Sequence, residues 1–137
     1  MSESLMTSPS PYRPRILLVE DQPVLRELMQ RALDADGYEV LTAANGRAAV
    51  LLVASLDLPV DLLITDLGMP LIGGEALIAE LARYHRPPPV LFVSGLGPEP
   101  GQPEPMLHKP FSLDELCARV RSLLGQPEVG HGGAASA

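Results

Sequence analysis

The fold is decided first by one stretch of sequence, Arg15-Ile16-Leu17-Leu18-Val19-Glu20-Asp21. Its apolar residues run without a break and end at two acidic residues. They do not alternate with polar residues, as they would in a strand with one face in water. Such a run is typical of a strand in a parallel sheet that is covered on both faces. The sequence therefore predicts a buried strand at residues 15–19, with two carboxylates at its carboxyl end.

The rest of the chain alternates between helix and strand signals. Further strands are predicted at residues 39–43, 62–65, 90–93 and 106–108. Helices are predicted from Pro23 to a cap at Gly37, from Asn45 to Leu56, from Gly74 to Tyr84, and from an N-cap at Ser112 to Leu124. This order predicts an α/β fold, a doubly wound parallel sheet with helices on both of its faces.

Two of these helices carry informative apolar patterns. The buried stripe of the first helix is predicted to consist of Leu25, Leu28, Met29, Ala32 and Leu33. The second helix is apolar nearly all round, and if Ala49, Val50 and Val53 face the sheet, Leu51 and Leu52 face outward. Scattered surface leucines are ordinary, so this pattern alone does not indicate a binding patch.

Length and composition limit the class of protein. The 137 residues fit one domain, and 46% hydrophobic residues suffice for a core. A net charge of −7 disfavours binding to nucleic acid or to an anionic membrane. A single cysteine, Cys117, suits core packing in a reducing compartment, and no signal peptide or membrane span is visible. We expect a cytoplasmic protein with a flexible leader at 1–14, one domain at 15–124 and a disordered tail at 125–137.

Reactive side chains follow the predicted strands. The first strand ends in Glu20 and Asp21, the third in Asp66, the fourth in Ser94 and the fifth in Lys109. In an open parallel sheet, ligands bind beyond the carboxyl ends of the strands. If these four strands lie side by side, three carboxylates, a hydroxyl and an ammonium group meet at one edge.

Such a cluster has a defined chemistry. Crowded carboxylates need a counter-cation, and a hard ion such as Mg²⁺ prefers oxygen ligands. One carboxylate can then attack phosphorus to form an acyl phosphate, while the lysine neutralises phosphoryl charge and the serine donates a hydrogen bond. Each residue alone has a simpler interpretation, as a helix cap, a turn residue or a solvated charge. Their ordered combination favours the phosphoryl site.

At these residues the sequence closely resembles the response-regulator receiver family, the CheY-like domains, from about Arg15 to Leu124. Four segments carry the resemblance: residues 16–23 (ILLVEDQP), 62–70 (LLITDLGMP) with Gly74, 90–95 (VLFVSG) and 108–111 (HKPF). The resemblance implies a flavodoxin-like five-stranded sheet of order 2-1-3-4-5. It also implies a role in two-component or phosphorelay signalling, with a phosphohistidine on a sensor histidine kinase or a histidine phosphotransfer protein as donor.

By position, the resemblance assigns a role to each residue of the cluster. Asp66 is the expected phosphoacceptor, Ser94 the switch hydroxyl, and Lys109 the phosphate-contacting base before a cis bond to Pro110. Mg²⁺, or Mn²⁺, is expected to bind Asp21 and Asp66 directly and Glu20 through water. The Gly68 backbone carbonyl is expected to be a further metal ligand. Such a protein is a self-phosphorylating acceptor with slow self-dephosphorylation and not a turnover enzyme.

Two departures from the family pattern concern the output of the signal. Residues 95–105 contain four prolines and three glycines, so we expect a loop in place of the usual fourth helix. The local sequence Phe92-Val93-Ser94-Gly95 resembles a subgroup of receivers that has a Phe-Ala-Thr-Gly-type motif and a reduced fourth helix. Met106 stands where receivers usually have the aromatic ring that moves with the switch hydroxyl.

Three other functions share parts of this pattern. A haloacid-dehalogenase-like hydrolase needs a second Asp where this chain has Gly68, and a flavodoxin-like cofactor site is disfavoured by the acidic loop at residues 20–21. A receiver-like docking module that does not switch by phosphorylation stays open as the alternative. The downstream protein partner and the oligomeric state, including a homodimer, are not determined by the sequence.

Overall fold

The structure, a computed structural model, describes residues 13–55, 59–67, 74–84, 87–95, 97 and 100–125. In chain order its elements are β1 (Arg15–Val19), α1 (Pro23–Ala35), β2 (Glu39–Ala43), α2 (Gly46–Ala54), β3 (Leu62–Asp66), α3 (Gly74–Tyr84), β4 (Val90–Ser94), β5 (Met106–His108) and α4 (Leu113–Leu124). The predicted strands and helices are confirmed. None of the described helices combines the length and the apolar character needed to cross a bilayer.

The five strands form one parallel sheet in the order β2-β1-β3-β4-β5. This arrangement confirms the predicted flavodoxin-like order 2-1-3-4-5. It places β1 and β3 side by side in the middle, with Val19 opposite Thr65. Asp66 is opposite Val93 and Ser94 is opposite His108, so the ends of β3, β4 and β5 are also in register. All the predicted strand-end groups therefore lie at one edge of the sheet.

Hydrophobic side chains fill a layer on each face of the sheet. On one face, α1 and α4 cover alternate strand residues; the fully buried members include Ile16, Leu18, Met29, Leu33, Leu62, Ile64, Leu116 and Val120. On the other face, α2 and α3 cover Leu17, Val19, Ala49, Val53, Leu63, Leu77 and Leu81. The central strands are thus buried on both sides, as their unbroken apolar sequence predicts.

Two details of the helix predictions are wrong, and a third falls outside the described residues. Leu28 is 46% exposed, because the core contacts of α1 centre on Met29 and Leu33 and Leu28 lies outside that stripe. Leu52 packs partly into the core between α2 and the sheet, although Leu51 is exposed as predicted. Helix α2 ends at Ala54, because the Ser55 hydroxyl and backbone N–H both donate to the Leu52 carbonyl. The predicted end at Leu56 lies outside the described residues.

The connection between β4 and β5 is the segment in which a loop was predicted. Its described residues, 95, 97 and 100–105, include a turn at 100–101 and no helix. The Gln102 side-chain amide donates to the Gly97 carbonyl over 3.2 Å. Met106, at the start of β5, is buried beside Phe92 of β4. The assignment to the subgroup with the Phe-Ala-Thr-Gly-type motif stays a prediction.

Thr65 carries a buried polar atom between the acidic end of β3 and the core. The residue is almost fully buried, and its Oγ1 has no hydrogen-bond partner among the described residues. A hydroxyl that loses water without gaining a partner destabilises the folded state.

We expect Thr65→Val to raise the free energy of unfolding by about 1 kcal/mol, because the methyl group replaces an unsatisfied hydroxyl of similar size. Thr42→Val is the matched control, since Thr42 is half-buried in β2 and should change stability by less than about 0.5 kcal/mol. Urea unfolding followed by circular dichroism suits a chain without tryptophan. A clear loss of stability in Thr65→Val would contradict this interpretation.

Tyr38 joins the turn after α1 to the end of the domain. It is fully buried at the start of β2, and its hydroxyl donates to the Gly125 carbonyl just after α4 over 3.3 Å. An ion pair of 2.7 Å between Arg121 and Asp36 supports the same junction. Burial, with the Asp36 carboxylate adding to it, raises the pKa of the Tyr38 hydroxyl to about 12.

This shift predicts a loss of stability at alkaline pH. The unfolded state releases the Tyr38 proton near pH 10 and the folded state near pH 12, so the stabilising contribution is complete below pH 10 and disappears as the pH rises through 12. Tyr38→Phe should be about 1 kcal/mol less stable at neutral pH, having lost the hydrogen bond, but should lose less stability over this interval. Phenolate absorbance and circular dichroism measure both effects; identical alkaline profiles would refute the prediction.

Candidate functional site

Glu20 and Asp21 follow β1 and face different environments. Glu20 is 1% exposed, whereas Asp21 is exposed to solvent. The Glu20 backbone N–H donates to the Ala43 carbonyl at the end of β2 over 3.1 Å. Its carboxylate Oε2 accepts the backbone N–H of Gln22, also over 3.1 Å. The protein therefore holds one carboxylate inside the edge of the sheet and leaves the next one open to water.

Asp66 and Ser94 are the last residues of β3 and β4. Both side chains are buried, with residue exposures of 8% and 1%. The backbone between the two ends is joined by a hydrogen bond of 2.8 Å from the Leu67 N–H to the Val93 carbonyl. The Lys109 N–H then donates to the Ser94 carbonyl over 2.7 Å. The parallel ladder thus brings the predicted acceptor, hydroxyl and lysine to neighbouring positions.

The Lys109 side chain connects the two buried carboxylates. Its Nζ donates to Asp66 Oδ2 over 2.7 Å and to Glu20 Oε2 over 3.3 Å. The predicted cis peptide bond between Lys109 and Pro110 is confirmed. The side chain is 20% exposed, so the pair of contacts is shielded from most of the solvent. One ammonium group therefore balances part of the negative charge that the strand ends collect.

The protonation of the cluster reflects burial and charge. Burial raises the pKa of the Glu20 carboxyl, the Gln22 N–H opposes that rise, and the Asp66 carboxylate adds to it. Burial also works to lower the pKa of the Lys109 ammonium, but its hydrogen bonds and ion pairs with Asp66 and Glu20 outweigh that effect and raise the pKa. Lys109 is therefore held in its charged form, and the carboxylates carry more negative charge than it can balance.

The carboxylate set fits a hard divalent cation. One oxygen each of Glu20, Asp21 and Asp66 lie within 4.8 Å of one another. Glu20 Oε1 is buried and has no hydrogen-bond partner among the described residues. Lys109 Nζ lies 3.3 Å from this oxygen and balances part of its charge. A buried carboxylate oxygen beside two further carboxylates is the donor chemistry that Mg²⁺ prefers. Gly68, whose carbonyl was predicted to be a further ligand, lies outside the described residues.

The structure brings together Glu20, Asp21, Asp66 and Lys109 as predicted and places Ser94 at the neighbouring strand end. Two contacts were not predicted: the Gln22 backbone N–H on Glu20 Oε2, and the Arg26 guanidinium on the Glu20 carbonyl, 2.8 Å away. No sequence signal marks either one, because both depend on how the loop after β1 turns into α1. Beside Lys109 lies a cavity of about 370 Å³, lined by Gln22, Leu25, Lys109, Pro110 and Phe111.

Removing Lys109 should leave buried negative charge without compensation. We expect Lys109→Met to lower the free energy of unfolding in EDTA by about 1–3 kcal/mol, less than for a fully buried pair because the ammonium is partly solvated. Mg²⁺ should raise the melting temperature of this variant by more than it raises that of the wild type.

The double variant Lys109→Met/Asp66→Asn is the control. It should be more stable in EDTA than Lys109→Met alone, since neutralising Asp66 removes one of the uncompensated charges. Circular dichroism melts of the wild type, of Lys109→Met, of Asp66→Asn and of the double variant provide the comparison. Additive effects of the two substitutions would show that the 2.7 Å contact does not couple them.

Comparison with known proteins agrees with this geometry. Residues 16–121 match the family described as response regulator receiver domain. The chain is 40% identical over 116 residues to the transcriptional regulatory protein TcrA of Mycobacterium tuberculosis, covering 80% of this chain and 45% of TcrA. It is 38% identical over 117 residues to the transcriptional regulatory protein CpxR of Klebsiella pneumoniae, covering 80% of this chain and 49% of CpxR. The chain thus spans about half the length of these relatives.

Solved structures show the same likeness. The receiver domain of the hybrid histidine kinase CckA superposes with a TM-score of 0.69 at 40% identity, over 80% of this chain and 98% of that one. The non-phosphorylated HemR receiver domain of Leptospira biflexa gives a TM-score of 0.70 at 26% identity, over 87% and 100% of the two chains. On sequence, fold and the acidic strand-end site together, the chain belongs to the response regulator receiver domain family.

Proposed function

We propose that this domain accepts a phosphoryl group on Asp66 in a Mg²⁺-dependent reaction and thereby switches a surface that binds a partner protein. The observation that carries the proposal is the Lys109 ammonium 2.7 Å from Asp66, inside a cluster of three carboxylates. Receiver domains bind Mg²⁺ at an acidic pocket and pair with sensor histidine kinases. The donor proposed here is accordingly a phosphohistidine on such a kinase or on a histidine phosphotransfer protein.

The proposed transfer exchanges one bond to phosphorus for another. A carboxylate oxygen of Asp66 attacks the phosphorus, the bond from phosphorus to the donor imidazole nitrogen breaks, and the imidazole leaves with the electron pair and takes up a proton. Lys109 then lies next to the new acyl phosphate and balances its added charge. Since the raised pKa of Lys109 keeps it protonated, no change in its ionisation is needed for this step.

Glu20, Asp21 and Asp66 are the residues that would hold the metal ion. When bound, Mg²⁺ supplies positive charge that lowers the repulsion between the carboxylates and the incoming phosphoryl oxygens. Glu20 Oε1 supports this assignment. It accepts no hydrogen bond among the described residues and has the Lys109 ammonium 3.3 Å away, so a divalent cation, or the water such a cation carries, would stabilise its charge further. The Gly68 carbonyl is retained as a proposed ligand.

Ser94 is proposed to couple phosphorylation to the output surface. Its buried hydroxyl lies at the end of β4, next to the strand that ends in Asp66, and can donate to a phosphoryl oxygen. A small movement of Ser94 would act directly on residue 95 and the connection to β5. How the signal continues with Met106 in place of the usual aromatic ring depends on the downstream partner.

The cluster argues for a stoichiometric acceptor more than for a turnover enzyme or a fixed docking module. A hydrolase would need a further group that activates water, so that hydrolysis of the acyl phosphate is as fast as its formation. A docking module that does not switch has no use for three crowded carboxylates, which cost folding energy when no cation is bound. The presence of the complete set, Glu20, Asp21, Asp66, Ser94 and Lys109, therefore favours phosphorylation.

We further propose domain limits at residues 15–124, because β1 begins at Arg15 and α4 ends at Leu124. Residues 1–14 and 125–137 would be a leader and a tail outside the domain. The relatives are longer proteins, and their additional activities are not transferred to this chain. The net charge of −7 supports a protein partner and opposes a nucleic acid or a membrane, in keeping with a cytoplasmic location.

Incubation with acetyl phosphate and Mg²⁺ tests the proposal without knowledge of the kinase. We expect the intact mass to rise by one phosphoryl group in the wild type, and not in Asp66→Asn or in EDTA, because both remove a required part of the site. Lys109→Met should reduce the extent of labelling by about tenfold or more, since a charge contact to the phosphoryl group is lost.

Asp61→Asn is the matched control. Asp61 lies before β3 at the opposite end of the strand from Asp66, and its carboxylate accepts the Arg15 backbone N–H over 2.7 Å. This variant should be phosphorylated like the wild type. A mass gain that persists in Asp66→Asn would show that another residue is the acceptor and would refute the proposal.

A further inference from the structure

The peptide bond between Glu20 and Asp21 connects the buried and the exposed carboxylate of the cluster. Because a peptide unit is planar, the Glu20 carbonyl oxygen and the Asp21 N–H rotate together, and the direction of that oxygen constrains where Asp21 leaves the loop. The preceding peptide is already fixed by the Glu20 N–H, which donates to the Ala43 carbonyl over 3.1 Å. The position of Asp21 therefore depends on what fixes the next peptide.

The Arg26 side chain makes that contact. Its Nη1 donates to the Glu20 carbonyl oxygen over 2.8 Å in a partly buried setting. A hydrogen bond from a cation is stronger than one between neutral groups, and the half-buried position reduces competition from water. In the described part of the chain, no side chain forms a hydrogen bond with the Asp21 carboxylate, and Asp21 is exposed. The orientation of Asp21 is thus set through its backbone.

The location of Arg26 in α1 is unfavourable for the helix itself. It lies in the first turn, which contains no acidic residue, where the partial positive charge of the helix N-terminus opposes a cation. Its backbone N–H closes the first turn on the Gln22 carbonyl over 2.9 Å, so the side chain starts close to the acidic loop. An arginine at this position therefore does not stabilise the helix, and its contact with the Glu20 carbonyl is the favourable interaction that it makes.

We propose that Arg26 is a positioning residue for the metal site. By holding the Glu20–Asp21 peptide, it presents the Asp21 carboxylate toward those of Glu20 and Asp66 and so raises the affinity of the cluster for a divalent cation. This inference rests on the proposed function, because it assigns Arg26 a part in the same Mg²⁺ site. Arg26 acts through the backbone and touches neither the cation nor the phosphoryl group.

A purely electrostatic role predicts the opposite sign. A guanidinium near a cation site repels the ion, so removal of its charge without any positioning effect would tighten Mg²⁺ binding. Residues that orient metal ligands typically contribute a factor of ten or more to affinity. The two effects are therefore distinguished by whether the affinity falls or rises in the variant.

The test measures the Mg²⁺ dissociation constant by isothermal titration calorimetry, with Mn²⁺ electron paramagnetic resonance as a second probe. We expect Arg26→Met to bind Mg²⁺ about tenfold more weakly, equivalent to about 1.4 kcal/mol. Arg26→Lys keeps a cationic donor but lacks the planar guanidinium group, so it should recover part of the affinity for Mg²⁺. Phosphorylation by acetyl phosphate should need correspondingly more Mg²⁺ but reach the wild-type rate at saturation.

Arg31→Met is the matched control, because it removes the same charge from the same helix. Arg31 is 75% exposed and pairs with Glu27 over 2.9 Å, away from the cluster. Its Mg²⁺ affinity should stay within about twofold of the wild type. Circular dichroism melts in EDTA check that each variant is folded, and Arg26→Gln replaces Arg26→Met if the latter is unfolded.

Each outcome decides a separate question. Binding in Arg26→Met, or in its replacement, as tight as in Arg31→Met or tighter overturns the positioning role while leaving the proposed function intact. A saturating rate that falls while Mg²⁺ affinity is unchanged also overturns it, because the residue would then act on the transfer step. Failure of the wild type to bind Mg²⁺ would overturn the proposed function together with this inference.

Discussion

The ion pair between the Lys109 ammonium and the Asp66 carboxylate, at 2.7 Å, is the interaction on which the site depends. A parallel sheet of this order collects Glu20, Asp21 and Asp66 at one edge, and burial of two of them makes their mutual repulsion costly. The ammonium group of Lys109 offsets part of that charge. The remaining imbalance is the physical basis of the proposed binding of a divalent cation and, with it, of a phosphoryl group at this edge.

The two-layered core allows this concentration of charge. Central strands that are apolar on both faces pack under α1 and α4 on one side and under α2 and α3 on the other. That packing fixes the strand register, and the register aligns Val19 with Thr65 and Asp66 with Val93. Stability thus comes from the hydrophobic packing on both faces of the sheet. The unfavourable repulsion between carboxylates is confined to the carboxyl ends of the strands. The Thr65 hydroxyl, which has no hydrogen-bond partner among the described residues, lies at the boundary between these two regions.

The residues of the site differ in how firmly the backbone holds them. Asp66 and Ser94 belong to strands and are held by the ladder, whereas Glu20 and Asp21 lie in the loop that turns into α1. Their geometry therefore needs support from the loop and helix, which the Gln22 N–H supplies to the Glu20 side chain and Arg26 supplies to its backbone. The chemistry of the family is carried by the acidic residues and the lysine. In the proposed role of Arg26, the contacts around the loop adjust the affinity of this chain for the divalent cation.

The sequence by itself determined the element order, the strand order by way of the family resemblance, and the identity of the clustered side chains. It could do so because an apolar run, an acidic strand end and a proline-rich loop each have local physical causes. Only the tertiary structure decided that Leu28 is exposed, that Leu52 is partly buried and that Arg26 reaches the Glu20 carbonyl. It also decided that the Thr65 hydroxyl has no hydrogen-bond partner in the part of the chain that the structure describes. These features depend on the packing of elements distant in sequence and on the path of one loop. Local sequence patterns do not encode either one.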